Sequence, residues 1–294
     1  MADISGRIGC GPRGCAPDNN GGNRHCGEWF LLLAVVLSWL FWLPAALFAR
    51  TWPAFLLRAL HYLGGLGPTV AAIGLVSLRE GQNERRCYWR RIIDARRIRG
   101  GWWLAMLLLI PALTGLGALL DVALGGQGAR AEEAARFLRR PFALLPYVLF
   151  LLLFGPLPEE MGWRGYGQDR LQRHWGPLSA SLIVGAVWTA WHLPLFFLPG
   201  TYQEGLGVGT PRFWLFMLDK VPQSVLMTWI YNHTHHSTLS AILFHLAVNL
   251  TGQLFDLTVQ AEAFYITLTW VMAGIVSTYG TFRRRGLRSP STYS

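Results

Sequence analysis

The chain has 294 residues, 52% of them hydrophobic and only 14% charged, and its mean hydropathy is +0.30. Too few polar side chains are present to cover a soluble domain of this size, so the composition excludes an ordinary water-soluble enzyme and points to a bilayer. The net charge of +10 does not indicate nucleic acid, because the arginines fall in short blocks between apolar runs, the pattern that sets membrane topology.

Residues 1–27 form a polar, Gly-rich tail with no apolar core, so no cleavable signal peptide is expected and insertion falls to the first spanning helix. Cys10, Cys15 and Cys26 lie in this tail and Cys87 in a later basic loop. Four cysteines in so long a chain do not make a disulfide framework, and unpaired cytosolic thiols are expected. A spanning helix needs about 20 predominantly apolar residues. Eight stretches qualify or nearly so: 28–49, 55–78, 101–124, 142 to about 162, 177–198, 213–231, 238–257 and 261–282. The expected fold is therefore all-α, a polytopic membrane bundle of about eight transmembrane helices over 28–282, followed by a basic tail at 283–294.

The N-terminal tail, the even-numbered connections and the C-terminal tail hold 18 arginines, against 7 on the other side. The positive-inside rule then places both termini in the cytoplasm. Eight of those arginines, from Arg79 to Arg99, read as a cytosolic anchor near anionic headgroups. Of the 26 basic residues only Lys220 is lysine. That bias fits a GC-rich genome and suggests a bacterial plasma membrane.

Ionisable groups inside a span cost at least roughly 2–3 kcal/mol, so each is a functional candidate by default. Three places stand out. In Pro156-Leu157-Pro158-Glu159-Glu160-Met161-Gly162-Trp163-Arg164, two adjacent carboxylates follow an unbroken apolar run. On a helix Glu160 and Arg164 share a face and can pair, while Glu159 points about 100° away. A paired Glu160 stays ionised, which leaves Glu159 to exchange a proton as a general base. In Trp188-Thr189-Ala190-Trp191-His192, Trp188 and His192 share a face just before Pro194. In His245-Leu246-Ala247-Val248-Asn249, a histidine and an amide stack four apart, and both need partners in lipid. Each group alone is equally a charge cluster that ends a helix, a core histidine, or an interhelical hydrogen bond. Together they supply a base, proton donors and oxyanion stabilisers, the requirements of hydrolysis.

The ordered set Glu-Glu-x-x-x-Arg, aromatic-x-x-x-His and His-x-x-x-Asn resembles the CPBP intramembrane protease family, which includes the type II CAAX prenyl proteases and bacterial relatives linked to bacteriocin immunity. The likeness covers mainly residues 144–257, within a protease-like core of about 142–257, and Leu66-Gly67-Pro68 adds to it. Trp188 stands where the family usually has Phe. The resemblance implies an eight-helix bundle that cuts peptide bonds of membrane-associated substrates. It implies that Glu159 with His192 activates the attacking water, that His245 with Asn249 stabilises the oxyanion, and that Glu160, Arg164 and Trp188 support the site. Glu159, His192 and His245 also make an acceptable ligand set for a single zinc ion, so the cofactor is either none or one zinc. In a bacterium without protein prenylation, the expected partner is a membrane-embedded or leader peptide.

Linear counting raises a difficulty, because Glu159 falls near the cytosolic end of the fourth span and His192 well across the fifth. Bringing them together calls for kinks at Pro156, Pro158 or Pro194, or for a separate interfacial turn over 165–176. A transporter of broken helices and a non-catalytic immunity or scaffold protein of the same fold are the competing readings. No Gly-x-Ser-Gly or Gly-x-Gly-Asp is present to support a serine or aspartyl intramembrane protease. The His-rich segment 232–236 reads as a solvated turn, and Asp121, Asp219, Lys220 and Asp256 are given no chemistry.

Overall fold

A computed structural model of the protein describes residues 25–278. The C-terminal tail, almost all of the N-terminal tail, and Cys10 and Cys15 lie outside the described residues. Cys87 is disulfide-bonded, which corrects the expectation of an unpaired thiol there.

The all-α expectation holds. α1 (Cys26–Leu47) is followed by α2 (Ala54–Gly65) and α3 (Gly67–Arg79), which bend by 42° where Leu66 leads into Gly67 and Pro68. Pro68 lacks an amide hydrogen and therefore suits the first turn of the new helix. α4 (Gln82–Ile93) is short and basic, and α5 (Trp102–Ala123) is long and apolar. A two-residue strand β1 (Ala129–Arg130) and the amphipathic α6 (Glu132–Arg139) lead to α7 (Leu144–Phe154) and α8 (Pro156–Gly162). A π-helical turn (Trp163–Gln168) joins α8 to α9 (Asp169–Trp191). The last part comprises α10 (Tyr202–Leu206), α11 (Pro211–His233), α12 (Thr238–Leu254), β2 (Asp256–Leu257) and α13 (Val259–Thr278). β1 and β2 pair antiparallel, and Asp121 secures this closure by accepting from the Gly128 amide and the Thr258 hydroxyl, each at 2.8 Å.

By length and apolarity, four helical stretches among the described residues can cross a membrane, or five if the bent pair α2 and α3 is one span. The count of about eight is not reached on this criterion, for physical reasons. The fourth and fifth predicted spans lie within one helical run, Pro141–Phe197. α11 carries Arg212, Asp219 and Lys220, and α12 is only 17 residues long.

The run from α7 to α9 is broken twice. Gly155 has φ −142° and ψ −95°, and Pro156 starts a new helix directly after it. Gly176, with φ 76°, takes a left-handed conformation that favours glycine and kinks α9 just before Pro177. Between these breaks α8 lies against α3, so close that a Cβ on Gly162 would sit 2.6 Å from the Pro68 backbone. The Thr69 hydroxyl adds a hydrogen bond to the Pro158 carbonyl. Leu66-Gly67-Pro68 thus forms the seat for α8.

At one end of the bundle the Asp169 carboxylate receives Arg91, Arg170 and Arg173 at 3.1, 3.0 and 2.7 Å, and Arg170 also pairs with Glu80 at 2.7 Å. Arg91 further donates to the Gly165 carbonyl at 3.0 Å. Part of the arginine block is therefore buried and ties α4 to α9, rather than facing headgroups. The His-rich turn is similarly more ordered than expected. His233 stacks on Trp102 with ring centroids 4.5 Å apart, and His236 lies 3.6 Å from Asp169.

Candidate active site

Glu159 sits in the first turn of α8, where the helix dipole favours an acid. Glu160, the next residue, points to the opposite interior and is fully buried. One guanidinium nitrogen of Arg164 donates to both Glu160 oxygens at 3.0 Å, as the spacing of four predicts. Glu160 Oε1 also accepts from His245 Nδ1 on α12 at 2.9 Å. This pairing fixes the His245 ring with Nδ1 protonated, so Nε2 is the atom left to act elsewhere.

His192 ends α9, and its Nδ1 lies 2.7 Å from the Trp188 carbonyl oxygen. A carbonyl only accepts, so Nδ1 carries the proton and Nε2 of the neutral ring presents a lone pair. Trp188, Trp191 and Phe216 surround the ring at centroid distances of 5.7, 4.8 and 5.2 Å. Trp188 does more than pack, because its indole N–H donates to Glu159 Oε2 at 2.8 Å. A phenylalanine has no such donor.

Glu159, Trp188, His192, His245 and Asn249 all line one cavity of about 300 Å³, while Glu160 and Arg164 stand behind its wall. Asn249 lies one helical turn beyond His245 and next to the break at Gly155, where a Cβ would come 3.3 Å from the Asn249 amide nitrogen. The difficulty of depth disappears because α8 is a separate short helix. The glycine at 155, rather than a proline kink alone, returns the chain into the bundle. The separate interfacial turn expected over 165–176 is absent, since Gly165 to Gln168 belong to a buried π-helical turn that continues into α9. Pro194 falls in a 3-10 turn after the helix has ended.

Residues 141–251 match the family model described as type II CAAX prenyl endopeptidase, Rce1-like. Over this segment the chain is similar to an Rce1-like domain. Over 262 residues the chain is also 27% identical to CAAX prenyl protease 2 of Methanococcus maripaludis, a match spanning 87% of this chain and 94% of that protein. All three motifs fall inside the matched residues, and the apolar helices make the chain an integral membrane protein.

The three residues offered for zinc line one cavity. Among the described residues no three His, Cys, Asp or Glu side chains are gathered to hold a metal ion. His192 and His245 are each held at Nδ1 by an oxygen, so Nε2 of each ring and a Glu159 oxygen are the atoms that would hold a zinc ion, which would supply an activated water there.

The cavity also contains residues to which sequence reasoning gave no role. Asp219 and Lys220 of α11 line it, as do Arg212, Glu262 and Tyr265 nearer α13. At its rim burial pushes the Tyr202 hydroxyl up to about 12, with Glu262 adding to the effect, so this group remains a donor at neutral pH. The available signal was Lys220 itself, the only lysine of the chain, in the middle of a predicted span.

Proposed function

We propose that the chain is an intramembrane endopeptidase that hydrolyses peptide bonds of membrane-associated substrates with a water activated by Glu159 and His192. Glu159 Oε2 is held by Trp188, and Oε1 faces the cavity to accept a proton from water. His192 Nε2 is the second acceptor on the same wall. The water oxygen then bonds to the scissile carbonyl carbon, and the π electrons move onto the carbonyl oxygen. His245, whose ring Glu160 anchors at Nδ1, and the Asn249 amide donate to that oxyanion. Collapse breaks the C–N bond, and the proton taken from water passes to the leaving amine.

The observation that carries this reading is the convergence of α8, α9 and α12 on one cavity, with two adjacent glutamates given opposite environments. Glu160 is saturated by Arg164 and His245, while Glu159 keeps an oxygen for chemistry. The relative's name supports a lipid-modified protein C-terminus as one substrate; a leader or membrane-embedded peptide is the alternative for a bacterial source. About eight crossings, cytoplasmic termini and a bacterial plasma membrane belong to the same proposal.

The test is cleavage of membrane-anchored fluorogenic peptides by the purified full-length protein, with Glu159→Ala and His245→Ala beside wild type, each with and without chelator. Loss of cleavage in both variants is expected, with no effect of chelator. Undiminished cleavage in both would refute the site, and loss on chelation that is restored by zinc would refute the metal-free mechanism. A wild type that cuts none of these peptides would favour the non-catalytic scaffold.

A further inference from the structure

One cation in the cavity has no role in the hydrolysis described above. Lys220 is 9% exposed, and its ammonium lies 4.4 Å from the Phe216 ring centroid and 5.4 Å from that of Trp188. These are the rings that pack His192, and Trp188 also holds Glu159. The nearest acid is Asp219, with Oδ2 at 3.5 Å, long for a hydrogen bond, and that oxygen already accepts from Gln223. An ammonium has three donors. Among the described residues Asp219 is the one acid within ion-pair distance, at the outer limit of hydrogen-bond length, which leaves donors of the ammonium for a further acceptor.

The other cation of the cavity is differently placed. Arg212 donates to the Leu257 carbonyl at 2.7 Å and pairs with Glu262 at 3.3 Å and Asp256 at 3.4 Å. It closes the bundle between α11 and α13 and has little left for a ligand. An anion entering the cavity therefore meets Lys220, in surroundings where a charge pair is weakly screened.

We propose that Lys220 receives a carboxylate of the peptide substrate and thereby selects which peptide bond reaches Glu159. This rests on the proposed peptidase reading. A peptide carries this group either as its C-terminal carboxylate or on an Asp or Glu side chain. Lys220 and Glu159 flank the same indole, so the cut falls within about three residues of extended chain from the bound carboxylate. The substrate carboxylate completes the coordination of the ammonium and replaces its loose contact with Asp219.

Binding is measured separately from cleavage, so failure of either idea can be told apart. The probe is a fluorescein-labelled peptide with one S-farnesyl cysteine followed by Val-Ile-Met, prepared as free acid, as carboxamide, and as carboxamide with the last residue changed to Glu. Fluorescence anisotropy with the full chain in nanodiscs reads affinity, and product analysis reads cleavage. Wild type should bind the free acid at least about tenfold more tightly than the carboxamide. Lys220→Gln should reduce that ratio to about one while binding the carboxamide as wild type does, and Lys220→Arg should restore part of the preference. Recovery of affinity by the Glu-terminated carboxamide would assign the side-chain carboxylate, and its absence the C-terminal one. Equal binding of acid and carboxamide by wild type, or an unchanged ratio in Lys220→Gln, would overturn the proposal whether or not the protein cleaves. Selective binding without cleavage would retain Lys220 as a carboxylate site and overturn the peptidase reading, and with it the selection of a peptide bond.

Discussion

Trp188→Phe removes one atom group that the proposed chemistry needs and keeps most of the packing. The lost N–H donates to Glu159 Oε2 at 2.8 Å in a buried setting, and a hydrogen bond to a charged group contributes about 1.5–3 kcal/mol. If that bond holds Glu159 in its working orientation, the cleavage rate should fall by about 10- to 150-fold, with KM nearly unchanged. Phenylalanine is also smaller than tryptophan, and the indole packs against His192 and His245 at 5.7 and 5.2 Å, so a void would contribute to the loss. A benzothienylalanine at position 188 separates these effects, because it keeps the bicyclic shape and lacks the N–H. The assay is steady-state cleavage of a quenched membrane-anchored peptide by purified full-length protein. A benzothienylalanine variant within twofold of wild type would refute the role given to this hydrogen bond.

Asn249→Ala should lower kcat by about 10²–10³-fold if the amide stabilises the oxyanion, and a loss confined to KM in the same assay would place Asn249 in substrate binding instead. Glu160→Gln keeps the shape but removes the charge that orients His245 and Arg164. Activity should fall on the order of 10²–10⁴-fold while a peptide still binds by anisotropy. Asp169→Ala strands three buried guanidiniums and should cost about 3–5 kcal/mol, read as a lower thermal midpoint in detergent. A midpoint equal to wild type would mean that the cluster is not under tension. Single cysteines at Arg96 and Glu204 in a cysteine-free chain test orientation. An impermeant thiol reagent should reach position 204 in intact cells and position 96 only after permeabilisation, and the reverse pattern would invert the proposed topology.

How much of the site was legible depends on whether a relation lies within one helix or between helices. Glu160 with Arg164, Trp188 with His192, and His245 with Asn249 are each four residues apart, so the helical repeat alone puts each pair on one face. The link from His245 to Glu160 spans 85 positions and has no local signature. The π-helical turn and the backbone of Gly155 were equally hidden, since apolar pattern shows that a helix exists but not that it breaks and restarts. Length and apolarity alone stop short of about eight crossings for a related reason. Hydropathy treats Asp219, Lys220 and Arg212 as lipid-facing costs, whereas in the fold they face a polar cavity.

The two charge clusters at opposite ends of α9 show why polarity within a membrane bundle need not mean chemistry. Around Asp169 the carboxylate is occupied on every side, by three arginines, by the Tyr231 hydroxyl at 3.3 Å and by His236. Such a group can only hold helices in place, because a reacting proton or substrate would have to displace a partner. Glu160 is occupied in the same way, with His245 as one of its partners, and in the proposed mechanism it acts through that ring. Glu159 lines the cavity with one firm donor, on Oε2, and His192 and His245 are each held through Nδ1 alone among the described residues. Half-satisfied groups are costly in a low-dielectric interior unless a water or substrate completes them. Three of them meeting on one cavity, each held from behind, is an arrangement that packing alone would not favour and that a reacting water would complete.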